Sequence, residues 1–244
     1  MNSSYQIKVQ DLCLGYCKVP LVNKHNLKIH QGGFWAVVGP NGQGKSSFIK
    51  SLMGLVVPLS GNISYQGLKR NEIGYVPQSS SQSSILSMTV LEFVSLPALG
   101  LPFSQNRKDN IEQALRKTHI WQKRHRVYAN LSGGERQSLH IARALVRNPK
   151  LIILDEPDTG LDFIAVENLT KLLHMLNTEQ GITIILITHN IITARETTKK
   201  TLLISQGFVK TGTTAEVLTN ENITRAFSLK PHVCDNHSKE EQEG

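Results

Sequence analysis

"GPNGQGKSS", Gly39 to Ser47, follows the apolar run "FWAVV", Phe34 to Val38, and leads into residues with helical spacing. Gly39-x4-Gly44-Lys45-Ser46 is the complete phosphate-loop pattern in the setting it requires, a strand before and a helix after. Gly39, Gly42 and Gly44 let successive N–H groups turn inward around phosphate oxygens without Cβ clashes, with Pro40, Asn41, Gln43 and Ser47 completing the loop. Lys45 can then reach the outer phosphates of a nucleotide, and the Ser46 hydroxyl can complete the coordination of Mg²⁺. Phe48, Ile49, Leu52 and Met53 share one face of the following helix, which Gly54 can end.

A magnesium–nucleotide site also needs an acid on a neighbouring strand. "LIILDEP" supplies four apolar residues and then Asp155 and Glu156. Asp155 is placed to hold a metal-bound water, and Glu156 to polarise or position the water that attacks the terminal phosphate. His189 follows "ITIILIT" at the end of the next strand, and Gln78 ends "IGYVP". In a parallel sheet ligands bind outside the carboxyl ends of the strands, so these groups can converge. A second anion-binding stretch, "LSGGERQ" from Leu131 to Gln137, has a glycine pair opening a helix. One chain has no evident use for two such cradles.

The chain has 244 residues, 39% hydrophobic and 19% charged, enough for one substantial core. No apolar run approaches the roughly 18 residues that span a bilayer, and "MNSSYQIKVQ" lacks the apolar stretch of a signal peptide, so a cytosolic chain is expected. The net charge of +8 suits a polyanionic ligand, an anionic membrane surface or nucleic acid. Seven Lys and Arg fall between Arg107 and Arg126, the pattern of a solvated helix face. Aromatic content of 6%, without interleaving of arginine and aromatic residues, argues against nucleic acid. Cys13, Cys17 and Cys234 are an odd set for a disulfide framework. His232, Cys234 and His237 are three residues of metal-ligating type, but beside "SKEEQEG" they read as a disordered tail.

The alternation in "YQIKVQDLCLGY" and "NLKIH" predicts N-terminal strands, and "SSSQSS", Ser79 to Ser84, a polar connector. Met88 to about Val146 shows helical spacing, and α/β alternation resumes at Leu151. A helix carrying Val166, Leu169, Leu172, Leu173 and Leu176 is followed by the strand "ITIILI". "TLLIS", "QG" and "FVKTG" predict a hairpin, with short helices to about Phe227. There is no internal repeat.

Together these stretches resemble the ATP-binding subunit of an ABC transporter, from about Tyr5 to Phe227. "GPNGQGKSS" looks like its Walker A loop and "LIILDEP" its Walker B strand with catalytic Glu156. Gln78 in "YVPQ" matches the Q-loop, "LSGGERQ" the signature, "TGLD" (Thr159 to Asp162) the D-loop and His189 in "THN" the switch histidine. Tyr16 in "LGY" stands where the family stacks an aromatic ring on adenine. The resemblance implies an α/β fold: a P-loop NTPase (RecA-like) core with an N-terminal antiparallel β subdomain and an inserted α-helical lobe. The core would span about 1–78 and 148–230, the lobe about 79–147, and a tail 231–244.

It also resolves the second cradle. In this family two subunits meet head to tail, and Ser132, Gly133 and Gly134 of one close on the ATP held by the other. Lys45, Glu156 and His189 would carry the catalysis, Ser46, Gln78 and Asp155 the Mg²⁺, and Asp162 would belong to the nucleotide interface. Ser138, Asn190 and Asp158 depart from residues more usual at their positions, and nothing in the sequence explains the acidic Asp158. The Gln78 region, "DTGLD" and "AEVLTNENITRAF" are similar to the subfamily serving zinc, manganese and iron uptake. That likeness implies a membrane permease, an extracytoplasmic metal-binding protein and a peripheral place on the cytoplasmic side of the inner membrane. A soluble ABC ATPase without a permease, of the iron–sulfur assembly type, or an ABC subunit for another substrate would carry the same nucleotide machinery.

Overall fold

The computed structural model describes residues 5–16, 19–78, 87–98, 105–205 and 207–228. The polar connector at Ser79 to Ser84, Cys17, Cys234 and the His232 and His237 tail lie outside them. Apolar runs set the central layer. β3 (Phe34–Val38), β6 (Leu151–Asp155) and β7 (Thr183–Thr188) are buried almost throughout, as expected of parallel strands covered on both faces. With β5 (Ile73–Val76), β8 (Lys200–Ser205) and β9 (Phe208–Thr213) they form a six-stranded sheet ordered β5-β6-β7-β3-β8-β9. Neighbours are parallel except for the β8–β9 hairpin, which "TLLISQGFVKTG" predicts.

Alternate residues of the central strands face opposite layers. Leu151 and Ile153 of β6 and Ile185 and Ile187 of β7 pack with Phe48, Ile49 and Leu52 of α1 (Lys45–Leu52). The same cluster takes Ile7, Val9, Leu12, Val22 and Ile29 from a second, antiparallel sheet. That sheet joins β1 (Tyr5–Tyr16), β2 (Val19–His30) and β4 (Ser60–Tyr65) in the order β2-β1-β4. Ile152, Leu154, Ile184 and Leu186 face the other way, into one cluster with α2 (Val90–Ser95), α3 (Gln105–Lys117), α4 (Gly133–Leu145) and α5 (Phe163–Thr178). The helical stretch therefore shares a continuous core with one face of the sheet. Three short helices complete the described fold, α6 (Ile191–Thr197), α7 (Thr214–Val217) and α8 (Asn220–Ser228). Among the described residues no helix is long and apolar enough to cross a membrane.

The basic stretch is more than a solvated face. Arg116 and Arg124 both lie over the Trp121 ring, at 5.0 and 4.5 Å from its centroid. Lys123 pairs with Glu135, and Lys117 Nζ donates to Gln180 Oε1 at 2.9 Å. The sequence shows no interleaving of arginine with aromatic residues, but the fold brings it about and uses it internally.

Behind α4, Tyr128 is fully buried and its hydroxyl lies 2.9 Å from His140 Nε2. Burial, reinforced by Arg143, lowers the His140 pKa from 6.5 to about 4. As pH falls the unfolded chain takes this proton before the folded one does. The contribution to stability is therefore complete above about pH 6.5 and is lost as pH falls through about 4. His140→Gln, which keeps a partner for Tyr128, should flatten this part of a denaturant-midpoint-versus-pH curve. An unchanged slope would place the acid sensitivity elsewhere.

Candidate active site

The strand order brings the ends of β5, β6, β7 and β3 side by side, so every loop of interest leaves one edge of the sheet. Gly39 leaves β3 hard against β8. A Cβ there would sit 1.9 Å from the Ile204 carbonyl oxygen. Gly42 (φ 76°) and Gly44 (φ 101°) take left-handed conformations that favour glycine, and Gly44 is the N-cap of α1. The first amides of α1 have no acceptor within the helix, which with the helix dipole makes this end anion-binding. Lys45 is buried, and its Nζ donates to Gly39 O (2.7 Å), Pro40 O (3.0 Å) and Asn41 Oδ1 (3.3 Å). Burial lowers its pKa, and Glu156 and Asp155 act in the opposite sense. Gln43 and Ser47 are buried, while Asn41 and Ser46 are exposed.

Glu156 follows β6 with φ 45°, rare for a residue with a side chain, and its N–H donates to Ile187 O of β7 at 2.9 Å. The carboxylate is a meeting point. It accepts from Gln78 Nε2 at 3.1 Å, lies 3.4 Å from His189 Nδ1 and 3.9 Å from Lys45 Nζ. Glu156 is 7% exposed, whereas Gln78 and His189 are exposed. Backbone strain at a buried acid surrounded by three polar side chains is typical of a functional position.

Asp155 accepts a hydrogen bond from the Tyr75 hydroxyl at 3.1 Å. Burial raises its pKa against the effect of that bond, and burial with the same acid pushes Tyr75 up to about 12. Sequence reading passes over Tyr75. The signal available is its place on β5, whose register puts it beside Ile153 of β6, two residues before Asp155.

The structure thus assembles Gly39–Ser47, Gln78, Asp155, Glu156 and His189. Ser132, Gly133, Gly134 and Asp162 lie elsewhere. Ser132 caps α4, its Oγ accepting from Glu135 N while Glu135 Oε2 accepts from Ser132 N. Asp162 caps α5 by accepting from Ala165 N at 2.8 Å. All four line a cleft of about 790 Å³ between α4 and α5, whose lining includes none of Lys45, Gln78, Asp155, Glu156 and His189. Tyr16 ends β1, and its side chain falls outside the described residues.

The loop fits a triphosphate, having a helix N-terminus, glycine curvature and a buried ammonium in one concavity. Ser46, Gln78 and Asp155 offer hydroxyl, amide and carboxylate oxygens, the hard donors that suit magnesium. A phosphate loop on a parallel sheet, with a histidine at the end of the neighbouring strand and an acid pair at the end of the strand beyond it, defines a P-loop nucleoside triphosphatase. The ABC transporter family model matches residues 22–159, and the chain belongs to that family as an ATP-binding, ATP-hydrolysing subunit. The ZnuC high-affinity zinc uptake system ATP-binding protein of Bacillus subtilis (strain 168) is 36% identical over 193 residues, covering 75% of this chain and 84% of its own. The ZurA zinc uptake system ATP-binding protein of Listeria monocytogenes is 32% identical over 222 residues, covering 86% of each. The solved structure of cbiO1 from Clostridium perfringens, part of the cbiONQ ABC transporter complex, superposes with TM-score 0.80 at 30% identity, covering 91% of this chain and 93% of that one.

Proposed function

We propose that this chain hydrolyses ATP to drive uptake of a divalent metal ion, zinc first and manganese or iron next, through a separate membrane permease. The carboxylate of Glu156, held among Lys45, Gln78 and His189 beside the phosphate loop, carries the catalytic half of this reading. The names of the zinc uptake relatives support the transport half.

Residues Gly39 to Ser47 cradle the phosphates. Lys45 exchanges its loop carbonyls for β- and γ-phosphate oxygens. Ser46, Gln78 and Asp155 would hold Mg²⁺, which would neutralise charge on the phosphate oxygens. Tyr75 keeps the Asp155 carboxylate oriented. Glu156 accepts a proton from the attacking water or aligns it, and His189 hydrogen-bonds the γ-phosphate. Tyr16 stacks on adenine.

Two copies meet head to tail. Ser132 and the first-turn amides of Gly133 and Gly134 face the γ-phosphate bound by the partner, with Asp162 at the same junction. Phe163 and Ile164, 83% and 69% exposed directly after Asp162, suit such an interface. Hydrogen bonds to a charged group contribute about 1.5–3 kcal/mol each, so ATP can join the pair and hydrolysis release it. Residues 1–230 act as one ATP-binding domain on the cytoplasmic side of the inner membrane, with an extracytoplasmic metal-binding protein in the same system. Nucleic acid has no place in this reading, and Arg116 and Arg124 are engaged by the chain's own Trp121.

The test is metal uptake by cells that lack this chain. Radioactive zinc uptake should fall and be restored by the wild type but not by Lys45→Ala. Restoration by Lys45→Ala, or loss of the chain without effect on zinc, manganese or iron entry, would refute the transport assignment.

A further inference from the structure

We propose that Asp158 is a positioning residue that locks the loop carrying Glu156 to the turn carrying His189. Its carboxylate accepts hydrogen bonds from Thr188 Oγ1, at 3.3 Å to Oδ2, and from Thr193 Oγ1 at 3.1 Å. Thr188 closes β7 and is fully buried, and Thr193 lies in the first turn of α6 and is buried too. The Thr188 hydroxyl accepts in turn from Asn190 N at 2.9 Å, and Asn190 Oδ1 caps α6 through Ile192 N and Thr193 N. His189 is therefore bracketed by Thr188, bonded directly to Asp158, and by Asn190, linked to Asp158 only through Thr188 and Thr193. The Asp158 loop is itself fastened at both ends, by Glu156 N on Ile187 O and by Asp162 capping α5.

The consequence is mechanical. The 3.4 Å approach of His189 Nδ1 to Glu156 joins two loops from different strands, and the Asp158–threonine bonds supply the side-chain fastening between them. Without Asp158 the imidazole is free to rotate or withdraw from the Glu156 carboxylate. Buried Thr188 would also lose the acceptor for its hydroxyl. ATP binding should be untouched, because none of Asp158, Thr188 and Thr193 belongs to the phosphate loop.

This inference rests on the roles proposed for Glu156 and His189. The experiment is a double-mutant cycle in single-turnover hydrolysis, with KM for ATP and thermal stability measured in parallel. Loss of hydrogen bonds to a charged group predicts that Asp158→Ala lowers the rate about tenfold or more, with KM unchanged within about twofold. Asp158→Asn, which can still accept from one threonine, should recover most of the rate, and Thr193→Val should fall between. In a His189→Ala background, Asp158→Ala should cost little further, since the residue it positions is gone. Equal losses in both backgrounds, or a KM that rises with the fall in rate, would overturn the proposal. If Asp158→Ala fails to fold, Asp158→Asn and Thr193→Val carry the same cycle. Full activity of His189→Ala alone would defeat the role of His189 instead, so the two failures are distinguishable.

Discussion

Glu156→Gln should lower kcat for ATP hydrolysis by about 10²- to 10⁴-fold while leaving ATP binding intact, the range expected for loss of a general base. The amide matches the carboxylate in shape, so the backbone at φ 45° and the bond from Glu156 N to Ile187 O need not change. It can still accept from Gln78, but it cannot take a proton from water. Lys45 and His189 lose their negative neighbour, and the electrostatic support for Lys45 from this side falls to Asp155. Phosphate release at saturating ATP measures the loss, and retained binding of a fluorescent ATP analogue shows that the cradle survives. Hydrolysis within tenfold of wild type would move the catalytic role away from Glu156.

Gly39→Ala should be the most damaging single methyl in the phosphate loop. Its Cβ would meet Ile204 O at 1.9 Å and Ile204 C at 3.0 Å, and both are backbone atoms. They belong to β8, which pairs with β3 through Val37 and Leu202 and through Val38 and Leu203. The clash is relieved only by parting the two strands at the point where the loop begins. A loss of about 4 kcal/mol or more follows, at the severe end for a point substitution, together with loss of ATP binding. Gly42→Ala is the control. No heavy atom lies within 4 Å of its added Cβ, and the cost is the left-handed backbone alone, about 1–2 kcal/mol. Thermal melting of the two variants separates them, and a Gly39→Ala protein that melts with the wild type would show that the loop does not leave the sheet in this way.

The parts of the site legible in the sequence are those whose chemistry is local. The glycine spacing from Gly39 to Gly44 dictates a turn, Lys45 opens the helix behind it, and "LIILDEP" shows a buried strand ending in acids. The strand order is not local. β3 lies between β7 and β8, and β5 beside β6, through pairings that only the assembled sheet specifies. That order turns Lys45, Gln78, Glu156 and His189 from separate strand ends into one cluster. The hydrogen bond from Tyr75 to Asp155 crosses from β5 to β6 and leaves no mark in spacing.

Asp158 is unexplained in the sequence because its partners, Thr188 and Thr193, are 30 and 35 residues away and meet it only when β6 and β7 pair. Asn190, which looks like a departure, finds its use as the cap of α6. The stacking of Arg116 and Arg124 on Trp121 also depends on the folded lobe, which is why the basic stretch reads more blandly than it is.

Ser132, Gly133 and Gly134 open onto a cleft apart from Lys45 and Glu156, so the claim that both groups serve one ATP depends on a second molecule. Light scattering of Glu156→Gln at micromolar concentration tests this directly. With ATP and Mg²⁺ the particle should have twice the mass of the chain, and it should return to the monomer when ATP is removed or when Ser132 is replaced by Arg. A particle that remains monomeric with saturating ATP would contradict the head-to-tail site.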